Sequence, residues 1–303
     1  MPNQTKYTPA NITRALRLPF IFASCLPFIF GSLIEGGVFN TAGFLLGLAC
    51  LLATHLSANL INDYFDSKSR ADWQDKRSFG LFGGSKLIQE GVFSEAFYLK
   101  ASLFCAAVSF VCVLPLAVLL RNHFVIIIYL FIIISSWQYT AGPLRFSYRG
   151  LGEVFIFLLF GPCAVMGGYF IQSGVFPDLK SFILSLPFGF FTLAMLLANE
   201  IADCPDDKNS GKRTWPVLSG GRKAFIIYLF AVSSGFLSVL FGAYLKYLGF
   251  FSLLSLLLVP RGIGIGMNLK DNYSDKLKLI ESSRQAVNLL AGISIILILS
   301  LII

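Results

Sequence analysis

Long stretches of apolar residues, separated by polar or charged segments, dominate the chain. Each is long enough to cross the hydrocarbon layer of a bilayer as a helix, which takes roughly 17–25 residues. Because the runs are continuous rather than alternating at every second residue, they exclude a membrane β-barrel. The pattern predicts nine helices, near residues 18–35, 42–62, 97–119, 124–141, 152–174, 181–201, 224–243, 248–267 and 285–303.

Composition supports the same class. Of 303 residues, 56% are hydrophobic and 13% are charged, whereas soluble domains carry about 25% charged residues. In lipid the backbone must satisfy its own hydrogen bonds, so helices are the remaining option. The prediction is an all-α polytopic membrane protein, a single domain over residues 1–303 with about nine transmembrane helices around a central cavity.

Lysine and arginine are distributed unevenly between the two sets of loops. If the N-terminus is cytoplasmic, the opposite loops hold only Arg121, Lys180 and Lys246, and all the other loop cations share the cytoplasmic side. This asymmetry is typical of a multi-pass protein of the cell (inner) membrane. The same loops account for the net charge of +8. No basic face with interleaved aromatic residues is visible, so a nucleic-acid partner is not expected. The two longest charged loops predict a cap over a cytoplasmic cavity.

The first candidate site lies at the end of the second apolar run. Asn59, Asp63 and Asp66 are three or four residues apart, so they share one face of a helix, with Asn62 nearby and Asp72 in the following loop. Ionisable groups beside a membrane helix are costly and usually functional. Amide and carboxylate oxygens suit Mg²⁺, which binds through one or two carboxylates plus substrate phosphates.

A second cluster follows the sixth run. Asn199 and Asp203 share a helix face in the same way, and each follows its counterpart in the first cluster by 140 positions. Pro205 is expected to disfavour continued helix, and spacing leaves open whether Asp206 or Asp207 turns inward. Together the clusters predict a site shared between two similar halves, approximately 1–141 and 142–303. A solvated helix end remains the alternative for either cluster alone.

Basic and aromatic residues near the clusters form a further candidate set. Lys86, Lys212, Arg145 and Arg149 could each neutralise diphosphate oxygens, and Lys212 and Arg145 are favoured because turn residues flank them. The alternative is an ordinary loop charge. The face of an aromatic ring attracts a cation. Among the many aromatic residues, Tyr139 is the candidate for shielding a carbocation in this way. The other rings are expected to be packing bulk.

One histidine and the cysteines are treated as structural. His55 precedes Asn59 by one helical turn and could face the cavity, but a polar contact between helices is the favoured interpretation. The six cysteines include no Cys-x-x-Cys pair. They are expected to be free thiols.

The paired motifs resemble the two Asp-rich motifs of the UbiA superfamily of intramembrane prenyltransferases. Three further segments look closest to the 1,4-dihydroxy-2-naphthoate prenyltransferases of menaquinone synthesis, namely 59–72, 83–91 and 148–162, and the turn at 211–214 is similar too. Departures from that subfamily are Arg70, Lys86, Glu200, Ala202 and Pro205.

The resemblance implies transfer of an isoprenyl group from a prenyl diphosphate to an aromatic acceptor. It implies two Mg²⁺ ions held by Asn59, Asp63, Asp66, Asn199, Asp203 and Asp207. The catalytic set is then Asp63, Asp66, Asp203, Asp207, Lys212, Arg145 and Tyr139. Further contacts to the substrate and its metal ions come from Asn59, Asn62, Asp72, Asn199, Lys86 and Arg149.

The acceptor and the oligomeric state stay open at this point. The resemblance to enzymes of menaquinone biosynthesis favours 1,4-dihydroxy-2-naphthoate as the acceptor. Other members of the superfamily use 4-hydroxybenzoate, homogentisate or a lipid glycerol phosphate. A cation-coupled transporter is the alternative from another class. The position of both clusters at helix ends, rather than at mid-membrane, disfavours it.

Overall fold

The computed structural model describes residues 7–73, 75 and 77–303. Within these residues all regular structure is helical, as the sequence predicts. The α-helices are α1 Pro9–Ala15, α2 Phe22–Leu33, α3 Thr41–Lys68, α4 Glu95–Leu119, α5 Phe124–Trp137, α6 Gly152–Leu158, α7 Ala164–Ser173, α8 Leu179–Asn209, α9 Trp215–Ser219, α10 Ala224–Tyr244, α11 Val259–Asn272 and α12 Lys276–Ile302. Short 3₁₀ turns lie at Leu18–Phe20, Ala71–Trp73 and Phe146–Tyr148.

The helices long and apolar enough to span a bilayer number seven in the described residues. An eighth is formed if the pair Pro9–Ala15 and Leu18–Leu33, bent by 51°, is one span. The fourth predicted segment, 124–141, forms α5, which has only 14 residues. At about 1.5 Å per residue it is shorter than a ~30 Å hydrocarbon layer. The helical membrane class is confirmed, while the count of nine and the orientation stay predictions.

Two predicted helices contain local irregularities, each with a proline in or near it. The predicted helix 152–174 consists of α6, a π-helical turn at Leu159–Cys163 that contains Pro162, and α7. The predicted helix 248–267 begins as a 3₁₀ helix, Phe250–Leu258, and becomes α11 where Pro260 occupies its first turn. Proline is tolerated there because the first amide groups of a helix have no intrahelical acceptor.

The expectation that Pro205 ends the second motif helix is wrong. Helix α8 runs through Pro205 to Asn209, so both motifs lie within helices α3 and α8 rather than in loops. The residues after the proline are held by tertiary contacts, since Asp206 accepts from Lys276 and Asp207 contacts Lys212. These contacts offset the hydrogen bond that proline removes.

Helix α8 is central in the bundle and is the most buried of the long helices. It packs against α2, α10 and α12 through a core that includes Phe30, Phe188 and Phe191. Glycines allow its close approach to the π-helical turn. A Cβ added at Gly161 would lie 2.7 Å from the Cα of Gly189, so both positions need the smallest residue.

The chain between α3 and α4 folds over one end of the bundle, and residues 77–93 are called the cap segment. Gly83 donates to Asp203 on α8, and Ser85 donates to Asp63 on α3. The guanidinium of Arg14 binds the carbonyl of Ser85 and the carboxylate of Glu90. The predicted cap is therefore present, and it is tied to both motif helices.

Candidate active site

A cavity of about 420 Å³ opens between α3, α8 and the cap segment. Its polar end contains both acidic motifs, and its other end is lined by apolar residues of α2, α3, α4, α5 and α7. Of the predicted site residues, those that line the cavity are Asn59, Asn62, Asp66, Lys86, Tyr139, Asn199, Asp203, Asp207 and Lys212. The structure thus brings two motifs far apart in sequence into one site.

The first motif is held by protein cations. Asp63 is buried and its carboxylate forms an ion pair with Arg17, while Ser85 donates its amide to the other oxygen at 3.3 Å. Arg17 also donates to Asn62 Oδ1 at 3.4 Å. Arg17 can reach this position because it adopts a left-handed conformation after α1, with φ of 50°. The amide of Asn59 donates to the carbonyl of Leu16 at 3.4 Å.

The second motif keeps oxygen atoms without partners. Oδ2 of Asp203 accepts from the Gly83 amide at 2.8 Å. Its Oδ1 is buried without a hydrogen-bond partner, as is Oδ1 of Asn199. Oδ1 of Asp66 on the first motif helix is in the same situation. Buried polar atoms are nearly always paired, so these three oxygens mark a place for a ligand.

The structure separates the roles of the two neighbouring aspartates at the end of α8. Asp207 is buried and lies 3.5 Å from Lys212 Nζ. Asp206 instead pairs with Lys276 at 2.6 Å, and that lysine also binds Asp75 at 3.1 Å. Both aspartates line the cavity, but only Asp207 pairs with the lysine shared by the two motifs, while Asp206 ties α8 to α12 and to the chain that follows α3.

Lys212 joins the two motifs. Its Nζ lies 3.1 Å from Asp66 Oδ2 on α3 and 3.5 Å from Asp207 Oδ1 on α8. The turn that carries it is closed by Gly211, at φ of 82°, and by a bond from the Lys212 amide to the Asp207 carbonyl. Because Lys212 contacts carboxylates of both helices, an anion between the motifs would meet its charge directly.

A second lysine reaches the cavity from the cap segment. Lys86 is buried and lines the cavity, and it adopts a left-handed conformation with φ of 61°. A Cβ added at Gly83 would lie 3.9 Å from Lys86 Nζ and 3.6 Å from Asp203 Oδ1. The Gly83 turn therefore lies against both the lysine and the second motif, and its φ of 76° favours glycine.

Tyr139 is placed at the cavity by a buried acidic pair. Its hydroxyl lies 3.4 Å from Oε1 of Glu200. The phenol is the donor in this contact, because the carboxylate oxygen accepts. Glu200 contacts Glu153, which is fully buried and accepts the amide of Trp215.

The two candidate arginines between α5 and α6 are not brought to the cavity. The guanidinium of Arg145 lies 3.6 Å over the ring of Tyr148. Arg149 is exposed and donates to the carbonyl of Pro143 at 3.1 Å. Residues 142–144 of this loop are exposed on the surface of the bundle. Neither arginine adds charge to the cavity in this arrangement, which corrects the expectation for both. The side chain of Asp72 lies outside the described residues.

Sequence reasoning missed Arg17 and Glu153. In the sequence Arg17 resembles any other loop cation, and nothing local links it to Asp63, which lies 46 positions away. Glu153 follows a loop and precedes an apolar run, so it reads as a helix-start residue. A charged residue at the start of an apolar run is the only signal that could have found it.

The donor set fits a magnesium site that a substrate completes. Among the described residues, no three carboxylate, histidine or cysteine side chains are close enough to hold a metal ion by themselves. The unpartnered oxygens of Asp66, Asn199 and Asp203 are nevertheless hard ligands. Mg²⁺ usually keeps water and takes substrate phosphates beside one or two carboxylates, so these residues fit the ion in the presence of a diphosphate.

The fold and the site define a class of protein: a polytopic helical membrane protein whose two acidic motifs and a shared lysine face one cavity. The chain belongs to the UbiA prenyltransferase family, which matches residues 24–280. The resemblance deduced from the sequence motifs is thereby confirmed, as is the enzyme class at the level of the family.

Curated relatives agree with this assignment. UbiA prenyltransferase domain-containing protein 1 of Mus musculus is 31% identical over 226 residues, which is 72% of this chain and 64% of the relative. The chain thus matches less than two thirds of that protein's length. The 1,4-dihydroxy-2-naphthoate octaprenyltransferase of Mycobacterium tuberculosis is 30% identical over 184 residues, covering 61% of this chain and 60% of the relative.

Solved structures show the same fold. A UbiA homologue from Aeropyrum pernix K1 aligns with a TM-score of 0.71 at 18% identity, over 94% of this chain and 98% of that one. A UbiA homologue from Archaeoglobus fulgidus bound to GPP and Mg²⁺ aligns with a TM-score of 0.58 at 16% identity, over 95% of this chain and 99% of that one.

Proposed function

We propose that the chain transfers an isoprenyl group from a prenyl diphosphate to 1,4-dihydroxy-2-naphthoate, in a magnesium-dependent reaction. The observation that carries the proposal is the arrangement around Lys212, which contacts Asp66 and Asp207 while unpartnered oxygens of both motifs face the same space. An anion with metal ions would complete this polar end. The apolar remainder of the cavity suits a prenyl chain.

Diphosphate departure is the step that the polar end supports best. Magnesium, when bound, would neutralise the charge that develops on the leaving oxygen. Lys212 and Lys86 line the same space and supply fixed positive charge from two directions. Arg17 adds a third cation beside the first motif. Charges preorganised where an anion develops are usually the largest contribution to catalysis.

Carbon–carbon bond formation needs a dry cavity. The bond between the prenyl C1 and the diphosphate oxygen breaks, and the electron-rich ring of the acceptor attacks the allylic cation that remains. The ring then loses its carboxylate as CO₂, which restores its aromaticity and balances the charge. Water would quench the allylic cation. The cap segment covers the polar end, and apolar side chains surround the rest. The buried Tyr139 ring borders the cavity, where its face can stabilise positive charge.

The choice of acceptor and donor is supported by relatives. The M. tuberculosis relative is a 1,4-dihydroxy-2-naphthoate octaprenyltransferase, and the A. fulgidus homologue binds GPP and Mg²⁺. The segments 83–91 and 148–162, which resemble naphthoate enzymes, supply the cap lysine and Glu153. Menaquinone biosynthesis is therefore the proposed role.

The proposed location is the cell membrane, with the active site facing the cytoplasm. Multiple apolar helices indicate a multi-pass integral membrane protein. Lysine and arginine are concentrated in the loops on the side of the two motifs, and such loops are typically cytoplasmic.

The test is a prenyl transfer assay with the full chain in lipid nanodiscs. Geranyl diphosphate and Mg²⁺ are supplied with 1,4-dihydroxy-2-naphthoate, 4-hydroxybenzoate, homogentisate or a lipid glycerol phosphate. We expect prenylated naphthoate, and loss of product when EDTA removes magnesium. Product formed only from another acceptor would overturn the naphthoate assignment. Cation flux in liposomes without any prenylated product would favour the transporter.

A further inference from the structure

A histidine on the first motif helix faces the cavity with one nitrogen unpaired. His55 is 8% exposed, lines the cavity and lies one turn before Asn59 on α3. Its Nε2 is buried without a hydrogen-bond partner among the described residues. Four residues correspond to about 6 Å along a helix axis. His55 therefore lies about one turn below the acidic motif, toward the apolar part of the cavity.

The contacts of His55 determine what its free nitrogen can do. Ser24 on α2 lies 2.9 Å from His55 Nδ1, and the same hydroxyl donates to the carbonyl of Ile21 at 3.0 Å. With its single proton directed to the carbonyl of Ile21, the Ser24 hydroxyl accepts from Nδ1–H. The neutral ring then presents Nε2 as an acceptor. The ring of Phe160 contacts the imidazole edge to face, with centroids 5.7 Å apart, which fixes its orientation.

A buried acceptor in a cavity requires a donor from the ligand. A prenyl chain carries no hydrogen-bond donor, and a diphosphate is itself an acceptor. The acceptor substrate is the remaining ligand of the proposed reaction, and its hydroxyl groups are donors. A second unpartnered polar atom, Oγ1 of Thr192 on α8, lines the same cavity. Two such atoms indicate a polar group on a ring rather than a purely apolar occupant.

We propose that His55 binds a ring hydroxyl of the aromatic acceptor through Nε2, with Ser24 fixing its tautomer. This inference rests on the proposed function and adds the residue that recognises the acceptor. The class of ligand is a phenol or hydroquinone, because the site offers an acceptor to a hydroxyl donor. An aromatic ether, which lacks that proton, is selected against because it would leave Nε2 unsatisfied.

The test measures binding to the full chain in nanodiscs by calorimetry. The probes are 1,4-dihydroxy-2-naphthoate and its two monomethyl ethers. We expect wild type to bind one of the ethers about tenfold more weakly than the dihydroxy compound, as expected for one buried hydrogen bond. His55→Phe should bind all three alike. His55→Gln, which retains an acceptor oxygen, should recover part of the difference. The matched control is His123→Phe, which changes the other histidine, outside the cavity lining.

The outcomes separate this proposal from the proposed function. If wild type prenylates the naphthoate and His55→Phe has an unchanged KM for it, the His55 assignment is wrong. If His55→Phe raises the apparent KM for geranyl diphosphate by the same factor, the residue is a packing residue only. If wild type releases diphosphate but alkylates no aromatic compound, the acceptor class of the proposed function is wrong. Equal binding of all three probes to wild type overturns the proposal even if His55→Phe fails to fold.

Discussion

The two acidic motifs are alike in sequence but differ in the structure. On α3, the Asp63 carboxylate pairs with Arg17 and accepts from the cap segment. On α8, Asp203 accepts one amide bond and keeps Oδ1 unpartnered, and Asn199 likewise has a free Oδ1. Each motif keeps an unpartnered oxygen, since Oδ1 of Asp66 on α3 is also without a partner, and the difference between them lies at Asp63, which is neutralised by Arg17.

This difference shows that motif similarity does not imply equal roles. Lys212 joins the motifs through Asp66 and Asp207, so charge balance is shared across the cavity. A metal ion would find two unpartnered oxygens on the second motif, at Asn199 and Asp203, and one on the first, at Asp66, whereas at Asp63 it would compete with Arg17. We expect the second motif to determine magnesium affinity and the first to depend on its cationic partners.

The largest expected effect comes from Asp203→Asn. Loss of a carboxylate that faces the cavity should lower kcat by about 10²–10³-fold, the range measured when one preorganised charge-stabilising group is removed. It should also raise the magnesium concentration needed for half-maximal rate more than Asp63→Asn does. Rates are measured against Mg²⁺ concentration, with the exposed Asp271→Asn as the control. Identical magnesium curves for Asp63→Asn and Asp203→Asn would show that the motifs are equivalent.

The second largest effect is expected for Lys212→Met, which should lower kcat by about 10–100-fold. This substitution removes the cation that contacts both motifs. Lys208→Met, on the exposed side of the same segment, should retain nearly full rate. Steady-state kinetics with geranyl diphosphate measures both variants. A loss shared by the two lysines would indicate a general effect of surface charge instead of a bridge between motifs.

The neighbouring aspartates give a narrower contrast within the second motif. Asp207→Asn should lower activity by about tenfold, since its partner Lys212 lies in the site. Asp206→Asn should leave activity within about twofold and lower the free energy of unfolding by about 1 kcal/mol, because its partner Lys276 is on α12. Activity assays and thermal unfolding distinguish them. The reverse ranking would make Asp206 the residue that acts in the site.

The smallest expected effect concerns Asp75, which shares Lys276 with Asp206. Hydrogen bonds from Arg77, together with Lys276, hold the pKa of Asp75 below its ordinary value. A carboxylate with a depressed folded-state pKa contributes stability above its unfolded pKa, near 4. That contribution is lost as pH falls through the folded value. Asp75→Asn should therefore destabilise by less than about 1 kcal/mol at pH 7, with the difference from wild type shrinking below pH 4. A constant difference across this range, measured by thermal unfolding, would contradict the ion pair.

Some of the site could be read from the sequence because its signals are local. The spacing of Asn59, Asp63 and Asp66 places them on one helix face whatever surrounds them. The turn glycine before Lys212 indicates that this lysine lies in a tight turn. Pro205 misled because propensity is a weak prior where tertiary contacts hold the following turn.

Other site features are absent from any local pattern. Arg17 meets Asp63, and Lys212 meets Asp66, across 46 and 146 positions. Arg145 has the same flanking signals as Lys212, yet its loop lies along the surface. Which nitrogen of His55 is free depends on Ser24 on another helix.

The sequence alone determined the helical membrane class, the two motifs and the family, because hydrophobic periodicity and residue spacing act within one helix. Tertiary structure decided which carboxylates are neutralised, which oxygens remain open and which cations enter the cavity. Those outcomes depend on the packing of α3, α8 and the cap segment. Electrostatic partners are set by distance in space, and only the folded chain defines that distance.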